Sequence, residues 1–420
     1  MGYSARAQPE FEFFLQGNAG WYCKAQPSLL TWFLAILDCC SGKETYPSSP
    51  LELQRWARLR FCMLHAEHSH DGWKLSKYNF EISGEGMGTQ KRVLVTGAGG
   101  FIGHHLVKRL KSDGHWVRGV DIKYPEYEAS ASDAFEILDL RKAENCLLAT
   151  RGGIDEVYNL AADMGGIGYI TAYLADISRN NILINAHMLE ASRQNGVQRF
   201  LFSSSACVYN QSKQQDAAVT ALREEDAHPA DPEPGYGWEK LFAEELCRYY
   251  YKDYGFETRI VRFHNVYGPL GTYEGGKEKA PAAICRKLAL AEDDGEIEVW
   301  GDGEQTRSFM YVDDCVEGLI HIIASDYREP LNLGRAELVT INELVNLVAR
   351  IAGKRITKRH NLSGPQGVRG RNSNNTRLRK VLGWEPSVSL ERGLVSTFEW
   401  IAAQVRSKYS PSAMVSAAAD

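Results

Sequence analysis

Tyr236 and Lys240 stand four residues apart in Pro234-Gly-Tyr-Gly-Trp-Glu-Lys-Leu-Phe-Ala-Glu-Glu-Leu246, a segment whose pattern predicts a helix, so both side chains share one face. A phenol with an ordinary pKa of about 10 is a poor base at neutral pH. A lysine ammonium and an oxidised nicotinamide ring nearby would both favour the phenolate, which could then take a proton from a hydroxyl while the carbon beneath gives up hydride. Ser205 lies just past the strand-like run Val197-Gln-Arg-Phe-Leu-Phe-Ser203 and is the natural second hydrogen-bond partner for that oxygen. Tyr and Lys at this spacing also occur by chance on many helices, with Tyr236 then simply packing beside Phe242. A binding site for the hydride acceptor separates the two readings.

That site is Lys91-Arg-Val-Leu-Val-Thr-Gly-Ala-Gly-Gly-Phe-Ile-Gly-His-His-Leu-Val-Lys-Arg-Leu110, where an apolar strand, a glycine turn and a helical pattern follow without a gap. Gly97 allows the turn, Gly100 lets the backbone approach a pyrophosphate, and Gly103 lets helix and sheet pack closely, with the phosphates against the helix's first N–H groups at Phe101 and Ile102. About 24 residues after Gly97, Trp116-Val-Arg-Gly-Val-Asp121 predicts a second strand ending in the carboxylate that such a motif requires. Asp121 would accept both ribose hydroxyls and repel a 2'-phosphate, which favours NAD over NADP despite Lys123 nearby. Asp139, closing a predicted strand from Phe135, could meet the adenine amino group or cap a helix at Leu140-Arg141. Ala161 and Ala162, closing a strand predicted from Glu156, let the cofactor lie close.

These residues need a scaffold, and 420 residues suffice for a sizeable core in two lobes. The formal charge of -5 argues against a nucleic-acid partner but allows a local cationic pocket. Nine cysteines, odd in number and without a dense framework, fit a reducing compartment, so the cytoplasm is expected. Neither CxxC nor HExxH occurs, and no metal is expected. The apolar run Leu29–Leu37 is too short to span a bilayer and lacks the flank of a secretory signal, so no membrane association is expected.

Residues 1–90 are a poorly patterned extension with short helices expected at 29–40 and 51–64. A Rossmann unit is complete without them, so a chain beginning near Met87 should keep its fold and activity unless Trp32, Phe33, Leu34 or Trp56 packs on a lobe or dimer contact. Residues 91–263 alternate strands and helices, the pattern of an α/β fold with a Rossmann-type doubly wound parallel sheet, and Phe256–Phe263 reads as its last major strand. Residues 264–405 predict mainly a smaller C-terminal α/β substrate lobe, with room for segments that return to the Rossmann domain. Within it, Arg307–Val312 reads as a strand, Thr340 with Glu343 as a capping box, and Val368–Arg371 as a basic loop. Residues 406–420 read as a flexible tail.

The set Thr96-Gly-Ala-Gly-Gly-Phe-Ile-Gly103, Ser203-Ser-Ser205, Tyr236-Gly-Trp-Glu-Lys240, Asn265-Val-Tyr-Gly-Pro269 and Arg307-Ser-Phe309 resembles the extended short-chain dehydrogenase/reductase family, in its NAD-dependent epimerase/dehydratase branch acting on nucleotide sugars. Four stretches are similar to the plant and green-algal members that invert C3 and C5 of GDP-mannose: Asn159–Gly166, Ser204–Tyr209, Gly275–Ala283 and Gly364–Asn372. The resemblance implies a tightly bound NAD regenerated at each turnover and usually a homodimer. It implies conversion of GDP-D-mannose to GDP-L-galactose and GDP-L-gulose, in support of L-ascorbate and cell-wall sugar synthesis.

It also implies roles for particular residues. Oxidation at C4 acidifies the hydrogens on C3 and C5, and inversion then needs two acid/base groups on opposite faces. Cys207, where related 4-epimerases commonly carry threonine, and Lys279 look like that pair. Taken singly, Cys207 is an ordinary strand-end thiol and Lys279 a solvated loop lysine. Gly165, Ser205, Ala206, Tyr236 and Asn265 resemble sugar-facing positions, and Glu278 resembles a residue fixing the loop lysine. Lys287, Gln305, Arg307 and Arg371 resemble the nucleotide or pyrophosphate side. Segment 168–180 departs from the plant pattern. A nucleotide-sugar 4-epimerase or 4,6-dehydratase would also use Tyr236, Lys240 and NAD, but would leave Cys207 and Lys279 without a task; a non-catalytic NAD-binding scaffold would leave all four idle.

Overall fold

In the computed structural model, residues 90–409 are described throughout, with the backbone of four short strands upstream. The chain divides into two compact units, Met1–Gly88 and Thr89–Asp420. In the first, Phe13–Leu15 pairs antiparallel with Trp21–Cys23, and Cys62–Ser69 pairs antiparallel with Gly72–Asn79. The end of the helix expected over 51–64 is therefore strand, from Cys62 onward. The helix expected at 29–40, the rest of that at 51–61, the four large apolar residues named above and the tail beyond 409 lie outside the described residues.

The second unit is built on a seven-stranded sheet. Its strands are β1 (Arg92–Thr96), β2 (Trp116–Asp121), β3 (Ala134–Ile137), β4 (Glu156–Asn159), β5 (Arg199–Ser205), β6 (Thr258–Phe263) and β7 (Leu331–Leu333). They lie in the order β3-β2-β1-β4-β5-β6-β7, and every neighbouring pair is parallel. The order reverses beside β1, so the crevice at the carboxyl ends of β1 and β4 is where a ligand binds in this architecture. Both faces are covered, as alternation in β1 illustrates. Val93 and Val95 pack with Leu106, Val107 and Leu110 of α1 (Phe101–Ser112), while Leu94 packs on the other face with Met188 of α3 (Leu174–Gln194) and Ala243 of α4 (Tyr236–Tyr254). Helix α2 (Ala143–Ala149) closes that second face.

Strand ends shift where side chains capture the backbone. The strand expected to reach Ala162 stops at Asn159, because Leu160 and Ala161 give their N–H groups to the Thr96 hydroxyl, each at 3.1 Å. Phe256–Phe263 is not the last strand: Leu331–Leu333 returns from the C-terminal part to extend the sheet beyond β6. Helix α6 (Val312–Ala324) returns with it, placing Val316, Leu319, Ile322 and Ile323 against α1 and β1.

The smaller lobe packs α5 (Ala280–Leu290), α7 (Ile341–Ala352) and α8 (Leu390–Lys408) around Ile284, Leu288, Leu344, Val348, Leu394 and Ile401. The strand expected over Arg307–Val312 is broken at Ser308, so Thr306–Arg307 pairs with Gly370–Arg371 and Phe309–Tyr311 pairs with Asn265–Tyr267. The expected basic loop thus ends as an edge strand, which fixes Arg371. Thr340 caps α7: its hydroxyl accepts the Glu343 N–H at 3.0 Å, and Glu343 accepts the Thr340 N–H at 2.8 Å. Thr340→Ala should lower stability by about 1 kcal/mol, read as a lower denaturant midpoint at unchanged slope; an unmoved midpoint would show that tertiary packing alone holds this helix start.

Candidate active site

At the end of β1 the chain turns through Gly97, where φ is +70° and any Cβ would stand 2.9 Å from the Ala161 nitrogen. Gly103 would bring a Cβ within 2.1 Å of the Gly97 carbonyl oxygen, so the helix start rests on the turn itself. Helix α1 follows Gly100 with no side-chain cap and no acidic residue in its first turn. The N–H groups of Phe101, Ile102 and Gly103 therefore leave an uncapped helix end, which suits a pyrophosphate. Asp121 stands beside it. Its Oδ2 accepts the Gly99 N–H at 3.0 Å, and its Oδ1 accepts those of Ile122 and Lys123 at 2.6 and 3.3 Å. A carboxylate offers about four acceptor positions, so one remains for a ribose hydroxyl. Burial raises the Asp121 carboxyl, against the pull of these three N–H groups.

Gly99, outside the glycine spacing used to read the motif, is equally constrained: a Cβ there would meet the Lys123 carbonyl oxygen at 2.2 Å. Asp139 is not a helix cap, since α2 starts later and the carboxylate takes both prongs of Arg141 at 2.8 Å, which lowers its pKa. Leu140 is buried beside it, its carbonyl accepting the Cys146 thiol at 3.2 Å. The uncapped turn, the strand-end carboxylate and the tight approach of Ala161, with Ala162 next, fit a dinucleotide.

Tyr236 opens α4 and is 5% exposed, Lys240 1%. Phe242 points outward, so the alternative in which it packs beside Tyr236 is not formed. The Lys240 ammonium stands 5.4 Å from the Tyr236 ring centre and 3.8 Å from a carboxylate oxygen of Glu239. Glu239 is the hub of a buried network. It accepts Asn181 Nδ2 at 3.0 Å and Asn185 Nδ2 at 3.2 Å, both from α3. Asn159 at the end of β4 donates to Asn185 at 3.1 Å and accepts the Thr96 hydroxyl at 2.9 Å. Asn181 also accepts the Asp163 N–H at 2.6 Å, anchoring the loop above the cofactor crevice.

Burial pushes the Glu239 carboxyl up to about 7, against Lys240 and the two amides. Burial lowers the Lys240 ammonium, and Glu239 opposes it. Burial also raises the Tyr236 phenol well above its usual value, helped by Glu239 and Cys207 and opposed by Ser205. Glu239 thus opposes the pull of Lys240 on the phenol, which leaves the oxidised nicotinamide ring as the second of the two expected influences toward the phenolate. Glu239 escaped the sequence reading since a glutamate in a first helical turn resembles a solvated residue.

The three serines ending β5 diverge. Ser203 donates to the Asn159 carbonyl at 2.7 Å, Ser204 to Glu244 at 2.5 Å, and Ser205 accepts the Cys207 N–H at 3.2 Å. Ser205 thereby caps the short turn Ala206–Val208, in which Ala206 and Cys207 are buried. Arg371 reaches this turn from the other lobe, giving Nε to Gln214 at 2.5 Å, Nη2 to Glu233 at 2.5 Å and Nη1 to the Cys207 sulfur at 3.7 Å. The guanidinium expected on the pyrophosphate side is thus engaged at the thiol. Burial and then Glu233 push the Cys207 thiol up to about 11, with Arg371 and Ser205 pulling the other way.

Lys279 immediately precedes α5, and burial lowers its ammonium while Cys207 opposes that shift. Its loop is clasped to the 163–169 loop: Gly166 donates its N–H to the Lys277 carbonyl at 3.1 Å, and the Lys277 ammonium lies 3.9 Å over the Tyr169 ring. Tyr169, in the divergent segment, donates its hydroxyl to Asp163 at 2.8 Å and backs onto Gly165, where a Cβ would meet it at 3.0 Å. Glu278 accepts the Gly276 N–H at 2.7 Å and faces Arg286 at 3.4 Å, so it closes the loop on itself rather than holding the Lys279 ammonium.

In the smaller lobe Asn265 donates to the Ser308 carbonyl at 3.1 Å. Gln305 donates to the Trp300 carbonyl at 3.0 Å and keeps its own side-chain oxygen buried without a protein partner. Arg307 donates to the carbonyls of Thr306 at 2.7 Å and Gln366 at 3.0 Å, and Lys287 to that of Glu298 at 2.7 Å. Among the described residues neither cation has a carboxylate within ion-pair distance. Burial and then Arg371 lower Arg307 to about 10. Cations tethered by carbonyls and left uncompensated suit phosphate oxygens.

The model of the NAD dependent epimerase/dehydratase family matches residues 93–334. GDP-mannose 3,5-epimerase of Arabidopsis thaliana is 48% identical over 327 residues, 77% of this chain and 86% of the relative. GDP-mannose 3,5-epimerase 1 of Oryza sativa subsp. japonica is 49% identical over 316 residues, 75% and 82% of the two chains. The solved structure of the Thermus thermophilus UDP-glucose 4-epimerase in complex with NAD is similar with a TM-score of 0.65 and 25% identity, covering 74% of this chain and 98% of that one.

Glu239 makes stability depend on pH. Its folded pKa lies above the unfolded value, so the native state holds this proton more tightly, and its contribution weakens as pH rises from the ordinary carboxylate range to about 7 and is constant above that. Denaturation of the full protein at several pH values should show wild type losing stability relative to Glu239→Gln across that window. Parallel curves would show that the carboxylate titrates normally.

Proposed function

Because the chain belongs to the NAD dependent epimerase/dehydratase family, we propose that it converts GDP-D-mannose to GDP-L-galactose, with GDP-L-gulose arising from C3 inversion alone. The observation that carries this reading is that Cys207 is buried in one cluster with Tyr236, whose ring centre lies 5.4 Å from the Lys240 ammonium, and that Lys279 follows the Lys277 carbonyl clasped to Gly166, so two further proton carriers accompany the tyrosine–lysine pair. NAD held by the glycine turn before α1 and by Asp121 would supply the hydride acceptor and donor for C4 of the sugar. Tyr236 receives the C4 hydroxyl proton, and Ser205 hydrogen-bonds the same oxygen. With C4 a ketone, the hydrogens on C3 and C5 become acidic, and Cys207 and Lys279 remove and return protons from the two faces. Burial moves the thiol up and the ammonium down. Arg307 and Lys287 hold the pyrophosphate, and Asn265 and Gln305 orient the nucleotide sugar. A 4-epimerase would leave Cys207 and Lys279 idle, and a 4,6-dehydratase calls for an acidic pair where Ala206-Cys207 stands.

Turnover in deuterium oxide should place deuterium at both C3 and C5, and a panel of GDP-, UDP- and dTDP-sugars should show preference for GDP-D-mannose. Turnover without deuterium at either carbon would exclude the mechanism. Tyr236→Phe should lower all exchange by about 100-fold or more, whereas Cys207→Ala should keep sugar binding and lose C5 inversion.

The active form proposed is a homodimer. Helices α3 and α4 pack together, and α4 exposes Trp238 (52%) and Phe242 (53%) four residues apart, with Leu174 and Ile182 exposed on α3. Large apolar groups clustered at a helix-pair surface favour a self-complementary contact. Phe242→Asp should sediment as a monomer; a monomeric wild type would remove this part of the proposal. The proposed compartment is the cytoplasm, a reading supported by the free thiols of all five described cysteines. Among the described residues no helix is long and apolar enough to cross a membrane.

A further inference from the structure

Glu233 takes no part in the chemistry above, yet it is bonded to Cys207 from two directions. Its N–H donates to the Cys207 carbonyl at 3.0 Å, which ties the segment before α4 to the turn after β5. Its carboxylate, with the side chain 13% exposed, takes Nη2 of Arg371 at 2.5 Å, and the same guanidinium gives Nη1 to the Cys207 sulfur at 3.7 Å. Arg371 thus bridges the Glu233 carboxylate and the Cys207 sulfur, and the carboxylate's charge raises the thiol. Gln214 holds the third side of the guanidinium at 2.5 Å, so its direction is fixed. The approach is tight as well: a Cβ at Gly237 would stand 2.4 Å from the Cys207 carbonyl oxygen.

An arginine this close to a sulfur would by itself favour the thiolate. Glu233 takes up that charge and, being anionic itself, disfavours a second negative charge on the sulfur. The other charged or titratable groups facing the sulfur are Tyr236 and Lys240 from α4, Lys279 from the clasped loop, and Arg307 beside Arg371. Each of those cations favours the thiolate, so the carboxylate works against all of them. We infer that Glu233 is a positioning residue that sets how tightly Cys207 holds its proton, with Arg371 as the clamp that keeps the carboxylate beside the sulfur. The inference rests on the proposed epimerase reading only for its functional meaning, because thiol ionisation can be followed without any sugar.

The test is an ultraviolet thiolate titration of the full chain, with the matching Cys207→Ala protein subtracted to isolate this one sulfur. Glu233→Gln, close in shape and without charge, should lower the Cys207 midpoint by about one pH unit or more. Glu233→Asp, which withdraws the charge by one methylene, should lower it less. An unchanged or higher midpoint in Glu233→Gln overturns the inference; if that protein fails to fold, an unchanged midpoint in Glu233→Asp overturns it. The pH profile of C5 deuterium exchange should move with the thiol midpoint while KM stays the same. Lost exchange with an unmoved midpoint would make Glu233 a sugar contact and also overturn the inference. A moved midpoint in a protein whose wild type exchanges nothing at C3 or C5 would uphold the role of Glu233 and remove the epimerase reading instead.

Discussion

The hydrogen bonds that Asn181 and Asn185 give to Glu239 join two halves of the site that share no covalent reason to stay in register. One end of this chain of amides is Thr96, which closes the strand feeding the glycine turn; the other is Lys240 on the helix that carries the tyrosine. A branch through Asn181 anchors the loop at Asp163, which leads to the Tyr169–Lys277 contact and so to the segment bearing Lys279. A buried network of this kind is favourable only when every member is satisfied, and that requirement makes the spacing of β1, β4, α3 and α4 stringent. Cofactor turn, oxidation pair and loop lysine are therefore set by one connected system.

Charge in the site is sorted by what it must touch. Two buried cations near Tyr236 and Cys207 have a carboxylate: Lys240 has Glu239, and Arg371 has Glu233. Arg307 and Lys287, by contrast, are tethered only by carbonyl oxygens. Paired charges keep the reacting region close to neutral, where burial can tune a phenol, a thiol and two ammonium groups without stray fields. Unpaired cations wait where the ligand itself brings the negative charge.

Local spacing made much of this legible. The glycine turn, Asp121 at its strand end, the Tyr236–Lys240 pair and the Thr340–Glu343 box are each written within a few residues, and each forms as the pattern implies. What stayed hidden depends on distant partners. The destination of Arg371 is set by a sulfur 164 positions earlier and by pairing of Gly370–Arg371 with Thr306–Arg307, neither of which a basic loop reveals. Glu239 acquires its meaning from Asn181, 58 positions away. The strand ending at Asn159 is shortened by one threonine hydroxyl on a neighbouring strand. In the upstream unit scattered aromatics and histidines masked the alternation of the strands Cys62–Ser69 and Gly72–Asn79.

The return of Val312–Ala324 and Leu331–Leu333 to the first sheet has a consequence for biosynthesis. While the ribosome has delivered only the residues through β6, that strand ends the sheet with a bare, bondable edge, and the apolar face made by Leu106, Val107, Leu110 and Val93 has no α6 to cover it. The nascent chain must carry both exposures through the synthesis of the loop bearing Lys279, helix α5 and the strands around Arg307. Its closing step is therefore a late, long-range one, the kind of interval in which chaperones bind hydrophobic surface. The seven-stranded sheet is therefore closed only after part of the smaller lobe has been made.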